Sequence, residues 1–189
     1  MAKRVLIMGP PGSGKGTQAA KICAKLGLDH VSTGEILREA MRAGSELGQR
    51  VKAVVESGNL VSDELMLELV AKRLAEESSQ RGFMLDGYPR TVPQAEALLA
   101  LLAKSSGKHI EAALLLRVPD ETIVERLLLR GRTDDTRETI QHRLKVYEVE
   151  TEPVLRYLEG QGVGIVDIDG VGSIEEIAER IESVLDAVD

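Results

Sequence analysis

Short apolar runs alternate along the chain with longer stretches whose apolar positions recur every three or four residues. Val5-Leu6-Ile7-Met8 is the first run, continuous enough for a buried strand. Ala19, Ile22, Cys23 and Leu26 then fall at helical spacing, which predicts a helix over 18–26 stopped by Gly27. His30-Val31-Ser32 is a second short strand. Thr33-Gly34-Glu35 opens a helix to about residue 43, and Ser45 opens another to about residue 57. Gly58-Asn59-Leu60-Val61 reads as a turn, and Ser62-Asp63-Glu64 caps a helix through Glu77. Residues 32–61 therefore form a helical insertion between strand-linked parts. The third strand covers 82–86. It is followed by the loop Gly87-Tyr88-Pro89-Arg90 and a helix from the capping-box-like Thr91-Val92-Pro93-Gln94 to about residue 104. A strand over 110–118 leads to a helix ending at Arg130, a short polar interruption over 131–135, and a long helix from Thr136 to about Glu159, bent before Pro153. The last strand covers 163–168, and Ser173-Ile174-Glu175-Glu176 caps a final helix to Val188.

Five short apolar strands, each followed by helix, enforce parallel pairing with right-handed crossovers. The expected fold is a three-layer α/β sheet with its ligand at the strand carboxyl ends. Between the first strand and the first helix lies Gly9-Pro10-Pro11-Gly12-Ser13-Gly14-Lys15-Gly16-Thr17. The spacing Gly9-x-x-x-x-Gly14-Lys15 fits a phosphate-binding P-loop, in which glycines let backbone N–H groups turn toward an anion at a helix N-terminus. Lys15 adds a point charge for the outer phosphates. Gly16 occupies the position where Ser or Thr is usual, and the hydroxyl comes one residue later, at Thr17. A ligand-free glycine turn is the plain alternative. Four glycines, a lysine and both flanking elements coincide against it.

A length of 189 residues suits one domain with a substantial core, and 43% hydrophobic residues indicate a globular chain. A net charge of −7 argues against nucleic-acid or membrane surfaces, while leaving room for a local basic cleft. Cys23 is the single cysteine, which excludes a disulfide framework and an all-cysteine zinc site; its helical position makes it a packing residue. Met1-Ala2-Lys3-Arg4 leads directly into a strand, so no signal peptide is expected and the cytoplasm is the expected compartment. Asp86 ends the third strand, where a nucleotide site places a carboxylate for Mg²⁺ or its waters. Arg126, Arg130 and Arg132 crowd one loop, the first two on one helix face, where like charges repel until a polyanion binds. Arg42, Arg50, Arg73 and Arg137 read as solvated or ion-paired, and His30, His109 and His142 as structural or surface residues. Lysine and arginines alone can supply the positioning and charge stabilisation that phosphoryl transfer needs.

These segments together resemble the adenylate kinases, over essentially the whole chain. The glycine-rich loop followed by Gln18, the stretch Ser32-Thr33-Gly34-Glu35-Ile36-Leu37-Arg38, the turn 58–61, Leu85-Asp86-Gly87-Tyr88-Pro89-Arg90-Thr91 with Gln94, and Arg132-Thr133-Asp134-Asp135 with Arg143 carry the likeness. It implies a P-loop kinase fold with a five-stranded parallel sheet, a core of 1–31, 62–130 and 136–189, an NMP-binding insertion of 32–61 and a short lid of 131–135. It implies reversible, Mg²⁺-dependent transfer from ATP to AMP giving two ADP, by a monomer. Gly12, Ser13, Gly14, Lys15, Gly16 and Thr17 would hold ATP phosphates with Arg130, and Arg126 and Gly172 would lie near its adenine. Thr33, Arg38, Arg90 and Gln94 would hold AMP, with backbone contacts from Asn59, Leu60, Val61 and Gly87. Arg132 and Arg143 would clamp the transferring phosphate, and Asp86 would orient Mg²⁺-bound waters without ligating the metal. From the residues alone, Thr33 could equally be an N-cap and Gln94 a helix-closing residue.

The chain departs from the family at Glu35, where Asp is usual, a change expected to alter only a helix-start charge. Its lid is very short, and with one cysteine no structural zinc is expected. Two moving parts, 32–61 and 131–135, imply a cleft open without ligands and closed with both nucleotides. A UMP/CMP kinase is the second reading, and a nucleotide-binding module without catalysis the third.

Overall fold

The computed structural model describes residues 3–105, 109–132 and 134–187. Five strands, β1 Arg4–Met8, β2 Asp29–Ser32, β3 Phe83–Asp86, β4 Ala112–Arg117 and β5 Gly164–Asp169, form one parallel sheet in the order β2-β3-β1-β4-β5. Central strands of such a sheet are covered on both faces, which is why β1, β3 and β4 are nearly continuous apolar runs. Side chains still alternate: Leu6, Leu85 and Leu115 enter one core, while Ile7, Met84 and Leu114 enter the other. The chain runs from β1 out to β2, returns to β3, and then crosses to β4 and β5. That reversal opens a crevice at the carboxyl ends of β1 and β3.

Helix α1 (Lys15–Leu26) starts earlier than the apolar spacing suggests, at Lys15, because Gly14 takes the N-cap position with φ +91°. With α10 (Ile174–Ala187) it covers one face through Ala19, Ile22, Cys23, Ile177 and Ile181. The final helix expected to reach Val188 lies within the described residues only to Ala187; Met1, Ala2 and Thr133, also named above, fall outside them. Helices α4 (Asp63–Leu74), α6 (Val92–Lys104) and α9 (Glu152–Gly160) cover the other face. Helix α4 ends at Leu74, short of the expected Glu77, and a separate turn α5 (Glu77–Gln80) leads into β3.

Ser32 pairs with Asp86 in the sheet, so the insertion leaves the core at Thr33. It consists of α2 (Thr33–Arg42) and α3 (Glu46–Glu56). Helix α7 (Asp120–Arg130) is stopped by Gly131 in the left-handed region, and α8 (Arg137–Val146) follows, capped by Thr136. The long helix expected from 136 to 159 divides into α8, a π-helical turn Tyr147–Thr151, and α9. Pro153 has no N–H to continue an α-helical ladder, and the Glu152 N–H bonds to Tyr147 O, five residues back.

Candidate active site

A cleft of about 1440 Å³ opens at the carboxyl ends of β1 and β3. That is larger than the roughly 300–1,000 Å³ of a pocket for one drug-sized ligand. Gly12, Gly14, Lys15, Gly16 and Thr17 line it from the glycine-rich loop. Ser13 is fully buried behind the loop and is not part of the lining. Gly12 has φ +84°, and a Cβ there would sit 2.7 Å from Leu127, so both backbone and space demand glycine. Gly16 has a different reason: a Cβ would come within 3.2 Å of Asp86 Oδ2. The loop and the end of β3 thus approach so closely that the usual Ser or Thr would need the Asp86 side chain to give by a few tenths of an ångström.

Lys15 Nζ donates to Pro10 O at 3.0 Å. Burial lowers its ammonium to about pKa 8; Asp86 opposes that shift, and Arg90 and Arg130 add to it. Asp86 itself is buried, which alone would raise its carboxyl. Contacts with His30, Lys15 and Ser32 outweigh burial and hold it below the ordinary carboxylate range. Ser32 Oγ donates to Asp86 Oδ2 at 3.1 Å and His30 Nε2 lies 3.5 Å from the same atom. Oδ1 takes no hydrogen bond among the described residues. His30, read above as structural or surface, therefore belongs to the site.

On the opposite wall stand Thr33, Arg38, Asn59, Leu60, Val61, Gly87, Arg90 and Gln94. Thr33 is not the N-cap of α2: Ser32 is, and the Thr33 hydroxyl donates to Gly87 O at 2.9 Å. Gln94 combines its two readings. Its N–H caps onto Thr91 Oγ1, while its side chain lines the cleft with Oε1 accepting from Arg90 N–H and Nε2 donating to Asp63 Oδ1, both at 2.8 Å. These two bonds set which end of the amide is which. Glu35 does more than place charge at a helix start: it reaches Arg38 at 3.2 Å and Arg42 at 3.8 Å.

Arg126, Arg130, Arg132 and Arg143 also line the cleft. Arg126 spans from Ser13 O (3.4 Å) to Gly170 O (3.1 Å), joining the glycine-rich loop to the loop after β5. Gly172 lies exposed beyond it, outside the lining, against Glu176. Asp135, whose side chain is 0% exposed, binds Arg130 at 2.7 and 2.8 Å and Arg143 at 3.2 Å. Asp134 also pairs with Arg143. The Arg132 guanidinium has no hydrogen-bond partner among the described residues. Burial, Arg38 and Arg130 push it below its ordinary pKa, and Arg90 is lowered by burial, Arg143 and Arg38 against the pull of Asp86. So many crowded cations favour a polyanion.

The insertion meets α8 in this structure. Asn59 Oδ1 lies 2.7 Å from His142 Nε2, and Arg143 donates to Val55 O at 3.2 Å. His142 is exposed and touches Asn59 of the lining without itself lining the cleft. Asp134 and Asp135 fall in the polar interruption that the sequence shows over 131–135, but their arginine partners were not legible there. Asp63 and Thr151 were not legible as site residues, because their partners lie far away in sequence.

A family model described as adenylate kinase matches residues 7–163. The chain is 48% identical to an adenylate kinase of Synechococcus sp. (strain CC9902) over 186 residues, covering 98% of this chain and 100% of the relative. It is 47% identical to an adenylate kinase of Micrococcus luteus over 182 residues, covering 94% and 88% respectively. It is 45% identical to that of Stenotrophomonas maltophilia (strain K279a) over 188 residues, covering 97% and 100%.

Proposed function

The chain belongs to the adenylate kinase family and is a phosphotransferase of the nucleoside monophosphate kinase type; we propose that its cleft seats ATP and AMP together and passes the γ-phosphoryl group between them, giving two ADP. One observation carries this reading: the glycine-rich loop with Lys15 and the wall with Arg38, Arg90 and Gln94 face one continuous cleft, with Arg132 and Arg143 on its border. ATP phosphates sit on the backbone of 12–17 and on Lys15, with Arg130 beside them and Arg126 toward the adenine. AMP lies between Thr33, the backbone of 59–61 and Gly87, and the guanidiniums of Arg38 and Arg90. Arg132 and Arg143 meet the transferring phosphoryl group, where charge spread over its oxygens is best stabilised by fixed cations. No protein base is required, because positioning and charge supply most of the acceleration.

The donor set fits Mg²⁺ that arrives with the nucleotide. Asp86 is ionised, faces the cleft and keeps Oδ1 unpartnered, and the described residues hold no cluster of three or more ligating side chains. Asp86 would orient waters of the ion, and the ion would neutralise charge on the phosphates when bound. Among the described residues no helix is long and apolar enough to cross a membrane; the cytoplasm, where small nucleotides are interconverted, is the compartment we propose.

Gln94 supports AMP over other monophosphates, since an oriented amide presents a donor and an acceptor side by side to a base edge. A coupled ADP-formation assay with AMP, UMP and CMP tests the proposal. AMP is expected to give the highest kcat/KM, and Gln94→Leu to raise the KM for AMP by about 10- to 100-fold, the cost of leaving one or two recognition bonds unmade, with a smaller change for ATP. Preference for UMP or CMP would establish the second reading, and absence of ADP formation the third.

A further inference from the structure

The backbone of Arg90 is held at both polar atoms by buried side chains from different helices. Its N–H donates to Gln94 Oε1 at 2.8 Å and its carbonyl accepts from Thr151 Oγ1 at 2.9 Å. The Arg90 Nε donates to Gly87 O at 2.7 Å, which leaves the Nη groups of the fork for the cleft that Arg90 lines. Thr151 is only 7% exposed and ends the π-helical turn. A π-turn adds a residue to the helical repeat and so rotates everything after it relative to the helix before. The turn follows directly on α8, which carries Arg143. The Thr151 hydroxyl therefore joins the segment bearing Arg143 to the loop bearing Arg90.

We infer that Thr151 is a positioning residue for phosphoryl transfer, acting through Arg90 by fixing its main chain against the α8–α9 segment. The inference rests on the placement of Arg90 at the phosphates given above. A one-ångström misplacement of a catalytic group can cost on the order of 100-fold in rate. A hydroxyl that merely filled space would be replaced by a methyl group without such loss.

The test is steady-state kinetics on the parent enzyme, Thr151→Val, Thr151→Ser, Arg90→Ala and the Thr151→Val/Arg90→Ala pair. Thr151→Val is expected to lower kcat about 10- to 100-fold while the KM for ATP stays within about twofold, and Thr151→Ser to restore kcat to within about twofold. On the Arg90→Ala background, Thr151→Val should cost no more than about twofold further, because residues acting through one another are not additive. Should Thr151→Val not fold, Thr151→Ala and Thr151→Ser form the same comparison. A parental kcat in Thr151→Val, a serine variant as impaired as the valine, or an undiminished loss on the Arg90→Ala background overturns the inference. An Arg90→Ala enzyme with parental kcat overturns instead the placement of Arg90, and is read independently of Thr151.

Discussion

Lys15 shows how a single residue is set against its surroundings. Its ammonium sits among Arg90 and Arg130 in a partly buried site, and its pKa falls from 10.5 to about 8. Because the folded value is the lower one, the protonated lysine is a cost to folding that is fully present below pH 8. That cost is relieved as pH rises from 8 toward 10.5, where the unfolded chain binds more protons than the folded. Lys15→Met removes the cost and should raise Tm by about 2–4 °C, the effect of roughly 1 kcal/mol in a chain of this length, while lowering kcat by about 100- to 1,000-fold, the usual loss of one charge-stabilising donor. Differential scanning calorimetry and the ADP assay on one preparation read both; a near-normal kcat would remove Lys15 from the transition state. In the parent, kcat/KM for ATP should fall above pH 8 as free Lys15 deprotonates. The limb in kcat should lie at higher pH, since bound phosphates hold the proton.

At the scale of elements, the turn between α7 and α8 is organised by its own carboxylates. Asp135 grips Arg130 from the end of α7 and Arg143 from α8, so the two helices are fastened around an ionic centre as well as around Ile123, Leu127 and Ile140. Arg132, without such a partner, is the guanidinium of this turn available to a phosphate. Arg132→Ala should therefore leave Tm within about 1 °C, as surface substitutions usually do, yet depress kcat by about 100- to 1,000-fold. Normal transfer by this variant would refute a clamp that includes Arg132. The contrast with Arg143, which is tied to Asp134, Asp135 and Val55, is direct: Arg143→Ala should cost both rate and stability.

For the molecule as a whole, the net charge of −7 and the cationic cleft are complementary. Negative charge elsewhere keeps the surface from binding polyanions at large, while the cleft draws small phosphates inward. Because the insertion meets α8 through Asn59, His142 and Arg143, one ligand spanning the cleft should brace the core, insertion and α7–α8 turn together. Two adenosines joined by five phosphates, at about 1,000 times the Kd, should stabilise the fold by roughly 4 kcal/mol. This corresponds to a rise in Tm of about 8–16 °C at roughly 2–4 °C per kcal/mol. With ATP and Mg²⁺ alone, hydrolysis should be very slow beside transfer to AMP, because the bordering parts exclude water from the γ-phosphate. Rapid hydrolysis measured by phosphate release would contradict that shielding.

Local chemistry determined the five strands, the parallel α/β sheet, the glycine-rich loop and most of the residues around the cleft. Apolar periodicity, glycine conformational freedom and helix caps act over a few neighbouring residues and can be read in order along the chain. Tertiary structure decided what depends on distance. Gly16 faces Asp86, seventy residues later, whose Oδ2 lies 3.2 Å from where a Cβ would be. Gln94 owes its amide orientation to Asp63, and Arg90 its fixed carbonyl to Thr151. His30 joins the site because β2 and β3 pair in the register that sets Ser32 opposite Asp86, two residues past the His30–Met84 pair, which leaves His30 Nε2 3.5 Å from Asp86 Oδ2. Hydrogen bonds and ion pairs of this kind need only spatial proximity, and proximity across a sheet leaves no period in the sequence.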